Sequence, residues 1–223
     1  MINPIRRLLH RVLVLIILWT SLILAFAGHN VQAYVTERTT VEGLVEAVAS
    51  DVNTFWGREF GLRGYPYSPA GLTFVYDQHV PSACGPSYPE LGPGYCPADQ
   101  TFYYPVNWID PSTGLRLQEY GDFAVAMATA HEMAHHVQYQ MDRLGIQKWD
   151  YLSDTQSELQ ADCFGGAWAR QASYNNRLEP GDIEEALTAL SVAGSVGHGT
   201  SKQRGAAYKL GYNSGDIAQC LAP

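Results

Sequence analysis

From residue 121 the chain reads Gly121-Asp122-Phe123-Ala124-Val125-Ala126-Met127-Ala128-Thr129-Ala130-His131-Glu132-Met133-Ala134-His135-His136-Val137-Gln138-Tyr139-Gln140-Met141-Asp142-Arg143, then Leu144-Gly145. No Pro or Gly interrupts it after Gly121, and alanines at 124, 126, 128, 130 and 134 favour a helix that Gly145 is placed to end. Inside it His131-Glu132-Met133-Ala134-His135 has the H-E-x-x-H form. Residues i and i+4 share a helix face, so both imidazoles can reach one zinc ion, with Glu132 leaning beside them as a general base. The competing reading is a polar face with two surface histidines. Met127, Ala130 and Ala134 around the motif speak instead for a buried face, where two histidines and a glutamate without a partner would be costly.

A catalytic zinc site needs a third protein ligand. Only His136 and His198 remain as later histidines, and His136 sits about 100° round the helix from His135, which gives it a structural role. Glu158-Leu159-Gln160-Ala161-Asp162 offers another i, i+4 pair, on a helix expected to begin near Asp154 or Thr155 and to run through Trp168 towards Asn175. Glu158 fits the third ligand. Asp162 fits the carboxylate that accepts the free ring N–H of one zinc histidine. Two plainer readings compete: Glu158 completing a capping box with Thr155, and Asp162 as a solvated helix residue. Gly165 and Gly166 in this helix predict close packing against a neighbour.

Upstream, Thr39-Thr40-Val41-Glu42 has the form of a capping box, and Val41, Leu44, Val45, Val48, Val52, Phe55 and Trp56 recur at helical spacing, with Gly57, Gly61, Gly64 and Pro66 closing the helix. Leu72 to Tyr76 and Thr101 to Tyr104 are β-prone runs. Pro105 marks the second as an edge strand or a strand end, and Phe102-Tyr103-Tyr104 is a candidate for pairing with an extended substrate, with plain packing the alternative. Two further helices are expected, one from about Pro180 carrying Ile183, Ala186, Leu187 and Leu190, the other opening on a Thr200–Gln203 capping box and ending near Gly211. Helix, short sheet, then helices is an α+β order, mainly helical with a small antiparallel or mixed sheet.

Arg6, Arg7 and Arg11 precede an uncharged apolar run from Val12 to Ala27, and no acidic residue occurs before Glu37. Residues 1–33 therefore read as a signal peptide cut after Val31-Gln32-Ala33, or as an N-terminal membrane anchor, with a domain over 34–223 outside the cytoplasm. In an oxidising compartment the four cysteines should pair. Cys84 and Cys96 flank an aperiodic Pro/Gly-rich stretch that needs a clamp, which leaves Cys163 with Cys220. No Cys-x-x-Cys supports a cysteine zinc site. With 22 acidic against 14 basic residues the chain lacks the basic face that nucleic acid requires, and loss of the leader's three arginines would move the net charge from −8 to −11. Composition sets no oligomeric state.

His131 to Gln138 and Glu158 to Phe164 resemble the bacterial neutral zinc metallopeptidases, proteins with an N-terminal membrane segment. So do Tyr95-Cys96-Pro97-Ala98-Asp99, Gly181 to Leu187, His198-Gly199-Thr200-Ser201 with Gln203-Arg204, and Ser214-Gly215-Asp216 before Cys220. The resemblance covers roughly Phe55 to Cys220. It implies a zincin-like fold and, for Glu158, the third-ligand role. Ala134 stands where that family usually has Gly, and the segment between the two site helices is shorter here.

The expected activity is zinc-dependent hydrolysis of a peptide bond in a peptide or protein substrate. One zinc ion would sit on His131, His135 and Glu158, and Glu132 would move the water proton to the leaving amine. His198 is a candidate donor to the transition-state oxyanion, with a structural role as its alternative. The other readings are a non-catalytic zinc-binding or chaperone-like extracytoplasmic domain, and a hydrolase of a cell-wall amide. An intact Glu132 argues against a purely structural zinc.

Overall fold

A computed structural model describes residues 40–86, 92–148, 152–192 and 197–221. The leader expected over 1–33, with its cleavage or anchoring run, lies outside the described residues. Among the described residues no helix is long and apolar enough to cross a membrane.

The architecture is α+β. In chain order come α1 (Val41–Leu62), β1 (Gly71–Val75), β2 (Gly94–Cys96), β3 (Thr101–Pro105), a 3-10 turn (Leu117–Tyr120), α2 (Asp122–Arg143), α3 (Asp154–Tyr174), α4 (Asp182–Val192), α5 (Ser201–Ser214) and a last 3-10 turn (Ile217–Cys220). The sheet is mixed, in the order β1-β3-β2, with β1 parallel and β2 antiparallel to β3. β3 is therefore the central strand, and Pro105 stands at its end. β1 takes one edge of Phe102-Tyr103-Tyr104 and β2 takes the other at Phe102 and Tyr103, so the run is not an open edge for an extended substrate, and its buried aromatics serve the core.

α1 is capped one residue later than the Thr39 box implies: the Thr40 hydroxyl accepts the Gly43 N–H at 3.2 Å. It also runs past Gly57 to Leu62, because Phe60 continues the apolar face and packs edge-on against Trp56 and at a tilt on Tyr67. β2 falls in the stretch taken for aperiodic loop. It is three residues long and is tied at Cys96 to Cys84 by a disulfide, too short for any period to register.

α2 ends as its sequence predicts. Gly145 takes φ +69, the Gly145 N–H reaches the Asp142 carbonyl and the Ile146 N–H reaches the Met141 carbonyl, a Schellman arrangement. Its first turn is capped from elsewhere, since Gly121 has no side chain to offer. The Glu185 carboxylate of α4 fills the space where a Cβ on residue 121 would lie and accepts the Phe123 N–H at 3.0 Å. α3 opens on Ser153, whose box partner is Gln156, so Glu158 is released from capping duty.

The apolar face of α1 joins α2 and α3 in the main core, where Trp56 meets Phe164 edge-on at 5.0 Å and Phe123 stacks on Trp168 at 6.0 Å. α5 continues through Gly211 to a left-handed Gly215 because Gly211 is an interface residue rather than a stop. A Cβ on Gly211 would lie 1.9 Å from the Cys163 carbonyl oxygen, and one on Gly166 would lie 2.1 Å from that of Tyr208. A Cβ on Gly165, by contrast, would make ordinary contact with Ala130. The backbones of α3 and α5 thus touch, which fixes the height of Arg204 against Asp162. Gly166→Ala must push the helices apart and is expected to cost about 3 kcal/mol in denaturant unfolding. Gly165→Ala is expected to be nearly neutral.

Candidate metal centre

α2 presents His131, Glu132 and His135, and α3 presents Glu158 and Asp162 across the interface. The two imidazoles stand edge to face, with centroids 4.9 Å apart. The Glu158 carboxylate lies between them, Oε2 at 3.0 Å from His131 Nε2 and Oε1 at 3.4 Å from His135 Nε2. His198 reaches the same carboxylate from the segment before α5, with Nε2 at 3.6 Å from Oε2. Ligand atoms at ~2.0–2.1 Å from a tetrahedral zinc lie roughly 3.3–3.4 Å from one another. The spacing and the N, N, O donor set therefore fit zinc. Donor atoms of His131, Glu132 and His135 also lie within 4.8 Å of one another, so Glu132 stands beside the three-donor group without separating it.

Each histidine is oriented through its other nitrogen. His131 Nδ1 lies 2.8 Å from Asp162 Oδ1, and the carboxylate is further held by Arg204, whose Nε–H donates to Oδ2 and Nη2–H to Oδ1, both at 2.8 Å. With Asp162 as acceptor, His131 carries a proton on Nδ1, which leaves Nε2 as the nitrogen for a metal ion. His135 Nδ1 lies 2.8 Å from Gln138 Oε1. The amide cannot be reversed, because its Nε2–H donates to the Ser157 carbonyl at 2.8 Å; Oε1 is the acceptor and His135 Nδ1 the donor. Both tautomers suit Nε2 ligation.

His136 points away from this centre, as its helix angle predicts. It is fully buried, with Nε2 2.7 Å from the Ser68 carbonyl and Nδ1 2.8 Å from the Tyr95 hydroxyl, and burial lowers its pKa despite the Ser68 contact. It ties α2 to β2.

Charges in the centre are coupled. Burial opposes a charge on His131, but Asp162 on one nitrogen and Glu158 on the other push its pKa up to about 10. Burial raises Glu158, and His131 and His135 overcome it, leaving the carboxyl well below its usual range. Burial also raises Glu132; His131 and His135 pull against it, Glu158 adds to it, and the net shift is upward, towards a stronger base. A metal ion must displace the proton on His131 Nε2. Zinc affinity of the metal-free protein is therefore expected to rise by up to about tenfold per pH unit between about pH 7 and 9, with about one proton released per ion in titration calorimetry across buffers. The raised His131 pKa stabilises the metal-free fold fully below the unfolded value near 6.5, a contribution lost as pH rises through about 10.

A cleft of about 380 Å³ opens beside Glu132 and His198. It is lined by Met127 and Ala128 of α2, Leu190 and Val192 of α4, and Leu117 and Trp108.

The family described as "Putative neutral zinc metallopeptidase" matches residues 25–222. The chain belongs to this family. YpfJ of Escherichia coli K12, named an uncharacterized protein, is 35% identical over 189 residues, which cover 74% of this chain and 65% of that protein. Rv2575 of Mycobacterium tuberculosis H37Rv, also named uncharacterized, is 31% identical over 175 residues, 66% of this chain and 60% of its own length. The chain thus spans less than two thirds of the length of these relatives. No solved structure matches it.

Of the residues that the sequence marks for this candidate centre, His131, Glu132, His135, Glu158, Asp162 and His198, the fold brings all six together. Sequence reasoning gave no role to Arg204 or Gln138. A signal for each was present: Arg204, Tyr208 and Gly211 stand at i, i+4 and i+7 on one helix face, and Gln138 stands three residues after His135.

Proposed function

We propose that the chain is an exported zinc-dependent peptidase acting on peptide or protein substrates. The convergence of His131 Nε2 and His135 Nε2 on the Glu158 carboxylate, with Glu132 alongside and a cleft next to it, carries this reading. Zinc held by His131, His135 and Glu158 would supply Lewis acidity that makes water a nucleophile near neutral pH and polarises a carbonyl. Glu132 accepts the proton of the attacking water and returns it to the leaving amine, and its upward-shifted pKa suits both steps. His198, beside Glu158 and on the cleft wall, donates to the developing oxyanion. Asp162 and Arg204 hold His131 in the ligating tautomer while protons move nearby. The apolar walls of the cleft take a large apolar side chain next to the bond that breaks.

Disulfides Cys84–Cys96 and Cys163–Cys220 and the leader read over 1–33 support export, with residues 12–27 either removed or retained as an anchor. Zinc quantification on protein purified without chelator, run beside a mixed-peptide cleavage screen, tests the proposal. The expected result is about one zinc per chain and cuts flanked on one side by large apolar residues. Protein that neither contains nor takes up zinc would overturn it.

A further inference from the structure

The tail of the chain reaches the metal centre through side-chain amides. Cys220, in the last 3-10 turn, is bonded to Cys163 of α3. Its backbone carbonyl accepts Gln160 Nε2–H at 3.0 Å, while Gln160 Oε1 accepts Gln138 Nε2–H at 3.0 Å. Gln138 Oε1 in turn accepts from His135 Nδ1 at 2.8 Å and from the Ser157 hydroxyl at 3.1 Å. Gln138 and Gln160 are both buried, so neither can exchange a lost partner for bulk water.

Direction matters in this relay. A carbonyl can only accept, so Cys220 forces the Gln160 amide nitrogen towards itself and the oxygen towards Gln138. That oxygen accepts from the Gln138 nitrogen, which also donates to the Ser157 carbonyl, and the two acceptors together turn the Gln138 oxygen to His135. Both amides between the tail and the ligand are thereby held in one of their two orientations, Gln160 by the Cys220 carbonyl and Gln138 by Gln160 and Ser157 together, and the end product is a proton on His135 Nδ1 with Nε2 left to the metal site. The anchor is a four-residue turn, and the bridge to Cys163 is what ties it covalently to α3.

We propose that Gln138 and Gln160 are positioning residues for the metal ligand His135, and that the Cys163–Cys220 bridge sets them, so that full metal affinity is reached only after this bridge forms. The inference rests on the reading of the centre as a metal site. Bridge formation takes two protons and two electrons from the Cys163 and Cys220 thiols and passes them by thiol–disulfide exchange to a disulfide oxidant, which leaves as two thiols. A chain still reduced would hold zinc weakly, and oxidation would complete the centre.

The test is zinc affinity of the metal-free full chain, measured by competition with a chromophoric chelator, for wild type, Gln138→Met, the Cys163→Ser/Cys220→Ser pair and all three changes combined. Gln138→Met is expected to weaken zinc binding about 10–100-fold. Loss of the bridge should weaken it about tenfold in the wild-type background and by less than about twofold when Gln138 is already Met, because both act through one path. A merely structural bridge would give equal costs in both backgrounds, and that result overturns the proposal. Should the bridge-free pair fail to fold by circular dichroism, Gln160→Met cuts the relay with the bridge intact. It is expected to weaken zinc binding by less than Gln138→Met, because the Ser157 carbonyl still holds the Gln138 amide, and unchanged affinity there overturns the proposal equally. A wild type that binds no zinc overturns the metal reading itself, whereas a wild type that binds zinc beside unaltered variants overturns the relay alone.

Discussion

Replacing Glu132 with Gln is expected to lower kcat for peptide cleavage by about 10³-fold, within the range that general acid–base groups supply, while zinc content and thermal midpoint stay close to those of the parent. The amide has the volume of the carboxylate and a similar helix propensity, so α2 and its contacts should persist. What disappears is the ability to accept a proton. The three donors that fit zinc, His131, His135 and Glu158, are untouched by the change, and Glu158 rather than Glu132 lies between the two imidazoles. Steady-state kinetics on a peptide cleaved by the parent, with metal analysis on the same preparations, checks the result. A Gln variant that holds zinc and turns over normally would remove Glu132 from the mechanism. Loss of zinc together with activity would instead make Glu132 part of the metal-holding group.

The site helices were legible in the sequence because their signals are local. α2 carries its motif at i, i+4 spacing, lacks breakers and ends on a Gly placed for a left-handed cap, and each of these rules acts within a few residues. Glu158 and Asp162 followed from the same spacing rule. Features decided by distant partners were not legible. Gly57 and Gly211 look like stops, yet both sit inside helices, because Phe60 in one case and the backbone of α3 in the other favour continuation. Pro105 leaves β3 as an edge strand or a strand end, and it is a strand end, because β2, three residues held by a disulfide, pairs along the second side of Thr101 to Tyr103. Arg204 and Gln138 stand in stretches that resemble the family but carried no role for the same reason: a buried carboxylate or imidazole announces that it needs a partner but not where in the chain the partner lies.

Arg204→Met is expected to produce the largest loss of stability of any single change in the centre, about 3–5 kcal/mol, because it leaves the Asp162 carboxylate buried without its fork of two charge-assisted bonds. The side chain of Met can fill the volume, so the loss measures charge and hydrogen bonding rather than a cavity. In metal-free protein the remaining counter-charge on Asp162 is the imidazolium of His131, whose pKa is already pushed up to about 10 by the carboxylates on either side, with burial and Arg204 opposing. Removing the guanidinium, one of those opposing charges, strengthens that proton and leaves the carboxylate with one partner in place of two. A doubly charged metal on the far nitrogen of His131 would restore part of the missing positive charge, so zinc should raise the thermal midpoint of Arg204→Met by more than it raises that of wild type. The double change Asp162→Asn with Arg204→Met removes both charges at once and should recover part of the lost stability, though not the fixed tautomer of His131. Thermal unfolding of the three proteins with and without zinc separates the contributions. If Arg204→Met alone costs less than about 1 kcal/mol, the pair behaves as an exposed salt bridge would, and the buried charge balance drawn here around Asp162 is wrong.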